Sequence, residues 1–209
     1  MYLPEQFAVT DPGQLHAIVH AHPFATLINA GGDGLTADHL PLLLFPDEGT
    51  HGVLRGHIAR ANPLSQEGGG QALAIFHGPH AYITPSWYPA KREHSRVVPT
   101  WNYQVVHAHG RLRLIDDPEW LERIVAALTR RFEQPRPRPW SLDDAPRAYV
   151  EAMCRGIVGI ELVITALSGK HKASQHRPHA ERVNIRAGLQ DEYAHDAVSA
   201  RCLSGLEED

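Results

Sequence analysis

Seventeen glycines and sixteen prolines are scattered through the 209 residues, so about one position in six interrupts regular structure. They follow no period, which excludes collagen, and their density favours a loop-rich mixed or all-β chain over a helical bundle. The apolar segments between them are short. Residues 40–45 are broken by Pro41, and residues 157–164 by Gly159 and Glu161. None approaches the roughly 20 residues of a membrane-spanning helix, so no membrane partner is expected. With 43% apolar and 21% charged residues, the chain has a globular rather than a disordered composition.

Local patterns give an alternation of strands with a few helices. Asp11, Pro12 and Gln14 have the spacing of a helix start, and Leu15, Ile18 and Val19 give the helix over 11–21 an apolar stripe. Strands are expected over 24–30, 35–45, 51–58, 71–77, 81–84, 98–115 and 157–167. Gly31-Gly32-Asp33-Gly34 reads as a hairpin turn between the first two. Gly78-Pro79 reads as the turn between the fourth and fifth. Asp117 and Pro118 open a helix whose Leu121, Ile124, Val125 and Leu128 form one apolar face. Ser141 and Asp144 open another, running to about Met153. These elements imply an α+β chain, mainly β, with a barrel decorated by helices. The strands lack the helical crossovers of a doubly wound parallel sheet.

Charge is uneven. The net value is −4 with histidine neutral, which is not the footprint of an obligate DNA binder. Residues 168–186 carry five Lys or Arg against Glu181, and residues 191–209 carry six acids and Arg201. The first segment suits an anion, and the second is expected to be solvated. The two cysteines, Cys154 and Cys202, do not make a disulfide framework. The N-terminus shows no signal-peptide pattern, which gives a cytoplasmic location as the expectation.

Phosphate loops, dinucleotide fingerprints, nucleophile elbows and zinc-protease motifs are all missing. His16 with His20, and His107 with His109, each share a face and could ligate a metal, but abundant histidine also produces such pairs by chance. Tyr82, Trp87, Tyr88, Trp101 and Tyr103 are either core or a platform for a flat ring. The run from Gly169 to Arg177 is more telling. It combines Lys170, Lys172, Ser174, Gln175 and Arg177 after an apolar strand. Ammonium, guanidinium and hydroxyl groups in one short segment suit a phosphate; a solvated basic turn is the other reading.

Several segments have a specific resemblance when taken in order. They are Met1-Tyr2-Leu3-Pro4, His39-Leu40-Pro41, Gly56-His57-Ile58-Ala59-Arg60-Ala61-Asn62-Pro63, Tyr82-Ile83-Thr84-Pro85-Ser86-Trp87-Tyr88, Val98-Pro99-Thr100-Trp101-Asn102-Tyr103, Gly156-Ile157-Val158-Gly159 and the lysine-rich run. Together they resemble the PaiB-type FMN-binding negative transcriptional regulators, from Met1 to about Arg186. The resemblance implies a split β-barrel of the pyridoxamine-phosphate-oxidase-like flavin-binding class, a homodimer with FMN at its interface. It places a single FMN-binding domain over 1–187 and leaves 188–209 as an acidic tail or extension. By position it makes Arg60, Lys170 and Lys172 phosphate partners, supplemented by Ser174, Gln175 and Arg177. It places Trp101, Asn102, His39 and Asn62 along the flavin. Ala173, His176 and His109 depart from the family pattern.

The functions that follow are an FMN-binding homodimer that by resemblance is a transcriptional regulator, a flavin-dependent oxidoreductase of the NAD(P)H:flavin reductase kind, or a haem-binding split barrel. No residue stands out as an obligatory acid or base. DNA binding rests on the family name, because no helix-turn-helix pair is visible and prolines break the basic run 130–138.

Overall fold

The computed structural model describes residues 1–31, 34–193 and 196–206. The expected turn at 31–34 includes Gly32 and Asp33, which lie outside the described residues, as does part of the acidic tail. The strands are β1 (Ala8–Val9), β2 (Phe24–Gly31), β3 (Gly34–Pro41), β4 (Leu43–Phe45), β5 (Val53–Ala59), β6 (Gly70–Ile83), β7 (Thr100–Ile115) and β8 (Ile157–Lys172). The helices are α1 (Pro12–Ala21), α2 (Ala90–Glu93), α3 (Pro118–Glu133), α4 (Arg147–Arg155), α5 (His179–Glu192) and α6 (Ala197–Cys202). No helix among the described residues is long and apolar enough to cross a membrane.

The sheet runs β3-β2-β6-β7-β8-β5-β4, with β1 added to β8. Strands β3 and β4 stand at opposite ends of that order, yet only Leu42 separates them in the chain. Antiparallel pairing of β3 with β2 and of β4 with β5 therefore joins the two ends, which closes the sheet into a barrel. Leu42 is fully buried at this junction, and its N–H bonds to the Pro23 carbonyl at 2.9 Å. The strand expected over 35–45 is thus two strands, because one residue turns the chain from one partner to another.

The chain divides into two compact units, Met1–Leu15, His77–Val106 and Ser168–Asp209 in the first, and His16–Phe76 and His107–Leu167 in the second. In the second unit β5 pairs with β8 from Val53↔Val163 to Ala59↔Ile157. Leu54, Ile58, Ile160 and Leu162 are buried, as are Leu121, Ile124 and Leu128 of α3. Each such leucine or isoleucine contributes roughly 1.5–3 kcal/mol by leaving water. Asp117 caps α3 as expected, accepting from Trp120 N at 2.9 Å. Trp120 lies over Gly159, where a Cβ would fall 2.3 Å from its ring.

In the first unit Ala81, Ile83, Tyr88, Ile185, Leu189, Ala200 and Leu203 form one core, with Trp87 packed on it. Residues after 188 are therefore not a wholly solvated segment. Leu189, Ala200 and Leu203 are buried, and their apolar side chains outweigh the surrounding acids in deciding where the segment lies.

Three local expectations change. Strand β6 continues through Gly78-Pro79 instead of turning there, and a Cβ at Gly78 would meet Gln104 at 2.8 Å. The Ser141–Asp144 capping box is formed, but it caps a short 3-10 turn at Leu142–Asp144, and α4 begins only after Pro146. Strand β8 extends to Lys172, so the basic run starts on a strand.

Candidate functional site

The end of β8 is held by β1, with Ala8 opposite Lys170 and Val9 opposite Gly169. Glycine at 169 permits a close approach, since a Cβ would lie 2.3 Å from Leu15 Cδ2 and 3.1 Å from Val9 Cβ. Lys170 and Lys172, two apart on a strand, project on one face, and His171 projects on the other. Lys170 is buried. Its Nζ donates to the Tyr2 carbonyl at 3.1 Å and stands 5.5 and 5.4 Å from the ring centres of Tyr2 and Tyr103. Aromatic faces stabilise a cation without neutralising it. Lys172 Nζ donates to Thr100 Oγ1 and to the Trp101 carbonyl, the latter at 2.7 Å. Among the described residues neither ammonium has a carboxylate partner within 4.0 Å. Burial, then the charges of Lys170 and Arg177, hold the Lys172 pKa below its ordinary value.

A tight turn follows. Ser174 adopts φ 61°, in the left-handed region that side chains rarely occupy. Gln175 frames it, its Oε1 accepting from Ala173 N at 2.8 Å and its Nε2 donating to the His171 carbonyl at 2.6 Å and the Gln6 carbonyl at 3.1 Å. Ser174 Oγ donates to Asn102 Oδ1 at 3.0 Å, and Asn102 Nδ2 donates to the Leu203 carbonyl at 2.7 Å. Asn102 is completely buried. Arg177 lies 4.1 Å over the Tyr88 ring and pairs with Glu181 at 2.8 Å. His176 meets the edge of Phe7, and its pKa is lowered first by burial and then by the Arg177 and Lys172 charges. Trp101, next to the buried amide, is 53% exposed, with His80 and Tyr82 at 6.2 and 6.0 Å.

Seven of the expected site residues thus belong to the first unit: Trp101, Asn102, Lys170, Lys172, Ser174, Gln175 and Arg177. The other three belong to the second. His39 is exposed on β3 and bonds Thr26 at 3.2 Å. Asn62 caps a short 3-10 turn and donates to Asp38 at 2.6 Å. Arg60 presents its fork to Asp116, with further bonds to the Arg155 and Ile157 carbonyls. It borders a cavity of about 560 Å³ that also meets Glu122, Arg147, Glu151 and Cys154.

The sequence reading gave no role to Tyr2, Thr100 and Leu203, which hold the lysines and the amide, while Tyr103, named there as core or a ring platform, faces the Lys170 ammonium. Tyr2 and Thr100 each sit inside a matched segment, and for Thr100 proximity to Asn102 was an available signal. Nothing local pointed to Leu203. Among the described residues no three His, Cys, Asp or Glu side chains are grouped to hold a metal.

A phosphate dianion suits two same-face ammonium groups without acidic partners, and an exposed indole suits a flat ring. The donor set therefore fits a flavin mononucleotide. Residues 1–166 match a family model described as "Putative FMN-binding domain". Over 211 residues the chain is 33% identical to protease synthase and sporulation protein PAI 2 of Bacillus subtilis, spanning all of this chain and 97% of that one. A conserved hypothetical protein from Mycobacterium tuberculosis superposes with a TM-score of 0.57 at 14% identity, over 86% of this chain and 95% of its own. The FAD and heme binding protein from Mycobacterium smegmatis gives a TM-score of 0.56 at 16% identity, over 79% of this chain and 73% of its own. These two share the fold. By its sequence matches and its split barrel, the chain belongs to the PaiB-type family of FMN-binding domains.

Proposed function

We propose that the protein works as an FMN-binding homodimer, with Lys170 and Lys172 holding the phosphate and Trp101 lining the ring. The observation that carries this reading is the pair of same-face ammonium groups, one of them buried, with no described carboxylate to neutralise them. Burying an uncompensated cation is costly, and a bound anion removes that cost. Asn102, Ser174 and Gln175 frame the turn, since their polar atoms are already engaged within the chain. Arg177 adds positive charge near Lys172.

Bound FMN supplies reversible electron transfer. The chain's own groups bind the phosphate, orient the ring and shield it from water. Exposed Tyr2, Tyr82, Val98 and Trp101 supply apolar surface for the ring and for a second copy of the chain. The net charge of −4 and the proline-broken basic run 130–138 favour flavin chemistry over direct DNA recognition as the primary activity.

The test is an absorption spectrum of purified protein before and after addition of FMN, with sedimentation to give the mass. Flavin near one per chain on a dimer is the expected result. A colourless monomer that fails to take up FMN would overturn the reading.

A further inference from the structure

The chain from Asp196 to Leu206 lies beyond the residues matched by the family model, yet its backbone meets the lysine-bearing turn at several points. Three of its carbonyls are acceptors. Cys202 O takes His171 Nε2 at 2.7 Å, Leu203 O takes Asn102 Nδ2 at 2.7 Å, and Gly205 O takes Arg182. Bonding to a carbonyl requires that His171 carry its proton on Nε2. His171 sits between the two lysines on the opposite face of β8, and Asn102 follows Trp101 on β7. The residues held by this segment therefore alternate with those facing the cofactor.

Packing at Gly205 is equally close. Its φ is +66°, and a Cβ there would lie 2.4 Å from Ala173 O and 2.9 Å from Gln175 N. Ala200 and Leu203 are anchored in the core formed with Ala81, Ile83, Tyr88, Ile185 and Leu189, and Ser204 is buried as well. A second link runs from Leu203 O through the Asn102 amide to Ser174 Oγ, at the left-handed residue two positions after Lys172.

From these contacts we infer that residues 196–206 form a clasp that presets Lys170 and Lys172 for the FMN phosphate, with Asn102, Ser174 and Gly205 acting as positioning residues. This rests on the phosphate reading above and adds to it a segment outside the lysine run. A preset pair binds without first ordering its side chains, so loosening the clasp weakens phosphate binding specifically.

The test compares the affinities of FMN and riboflavin, which differ only by the phosphate, in the full chain and in Gly205→Ala, Ser174→Ala and Lys172→Ala. Gly205→Ala wedges the clasp from the turn. Ser174→Ala cuts the link to Asn102 without adding atoms, and serves if the first variant fails to fold. Both are expected to weaken FMN roughly tenfold, the scale of one displaced charge-assisted contact, and to leave riboflavin unchanged. If Lys172→Ala lowers the FMN preference while both clasp variants retain it, the clasp is overturned. Equal loss of FMN and riboflavin in the clasp variants also overturns it, since that is general damage. If Lys172→Ala itself leaves the preference intact, the phosphate reading fails and the clasp falls with it.

Discussion

Asn102 and Leu203 are 101 positions apart in sequence, and the amide of one donates to the carbonyl of the other at 2.7 Å inside the protein. The same amide accepts from Ser174 at 3.0 Å, so a single buried side chain satisfies two further polar groups. Leaving a buried donor or acceptor unpaired costs more than a hydrogen bond gains.

Replacing Asn102 with alanine is therefore expected to destabilise the protein by about 2–4 kcal/mol, because it strands both the Leu203 carbonyl and the Ser174 hydroxyl. Urea denaturation of cofactor-free protein measures this. A change under about 0.5 kcal/mol, the range of an ordinary surface substitution, would show that water replaces the amide at no cost.

At Gly159 a Cβ would fall 2.3 Å from the Trp120 ring and 3.0 Å from the Ile115 carbonyl. Gly159→Ala should cost about 1–3 kcal/mol through overpacking. Thermal melting reads the loss. An unchanged melting temperature would mean that α3 shifts freely away from β8.

Lys172 carries a pKa held below its ordinary value of 10.5, by burial first and then by Lys170 and Arg177. A phosphate dianion prefers the ammonium form, so FMN affinity should fall as pH rises through the lowered value, before 10.5 is reached. In the free protein the sign is opposite. The folded state gives up this proton before the unfolded state does, so stability rises over the same interval. Lys172→Arg keeps its charge and should flatten the FMN profile. Isothermal titration of FMN from neutral pH upward checks the affinity, urea midpoints of the free protein over the same range check the stability, and a wild-type affinity profile as flat as the variant's would count against Lys172 as a phosphate partner.

Burial also lowers the pKa of His57 on β5 and of His22. Above the ordinary value of 6.5 both states are neutral, and these groups contribute nothing to pH dependence. Below it the unfolded chain takes up protons that the folded chain refuses, so stability falls with acidification until the lowered values are reached. His57→Phe should reduce that slope, measured as urea midpoints between neutral pH and mild acid. An equal slope in the variant would assign the acid sensitivity elsewhere.

What the sequence disclosed follows from how far each signal travels along the chain. The Asp117-Pro118 start of α3 and the Asp11-Pro12 start of α1 were legible because a cap is built by residues three apart. The Gly78-Pro79 pair misled, since the same dipeptide that breaks a strand in isolation here lets β6 pass close to Gln104. The residue types of the lysine run are local and suit an anion, but its strand conformation depends on pairing with Ala8 and Val9 at the far end of the chain. Arg60 stands out by motif, whereas its engagement with Asp116 comes from a residue 56 positions away. Leu203 was invisible for the plainest reason: its contribution is a backbone carbonyl, and every residue has one.

The packing of Trp120 on Gly159 has a counterpart in the first unit, where Trp87 stacks so closely on Gly188 that a Cβ there would lie 2.2 Å from the indole. Each unit thus carries one indole pressed against backbone, while Trp101 and Trp140 face outward. Substituting the outward pair with phenylalanine would leave one emitter per unit. Fluorescence from Trp87-only and Trp120-only chains would then report, separately and without any attached dye, the order in which the two halves of the molecule come apart.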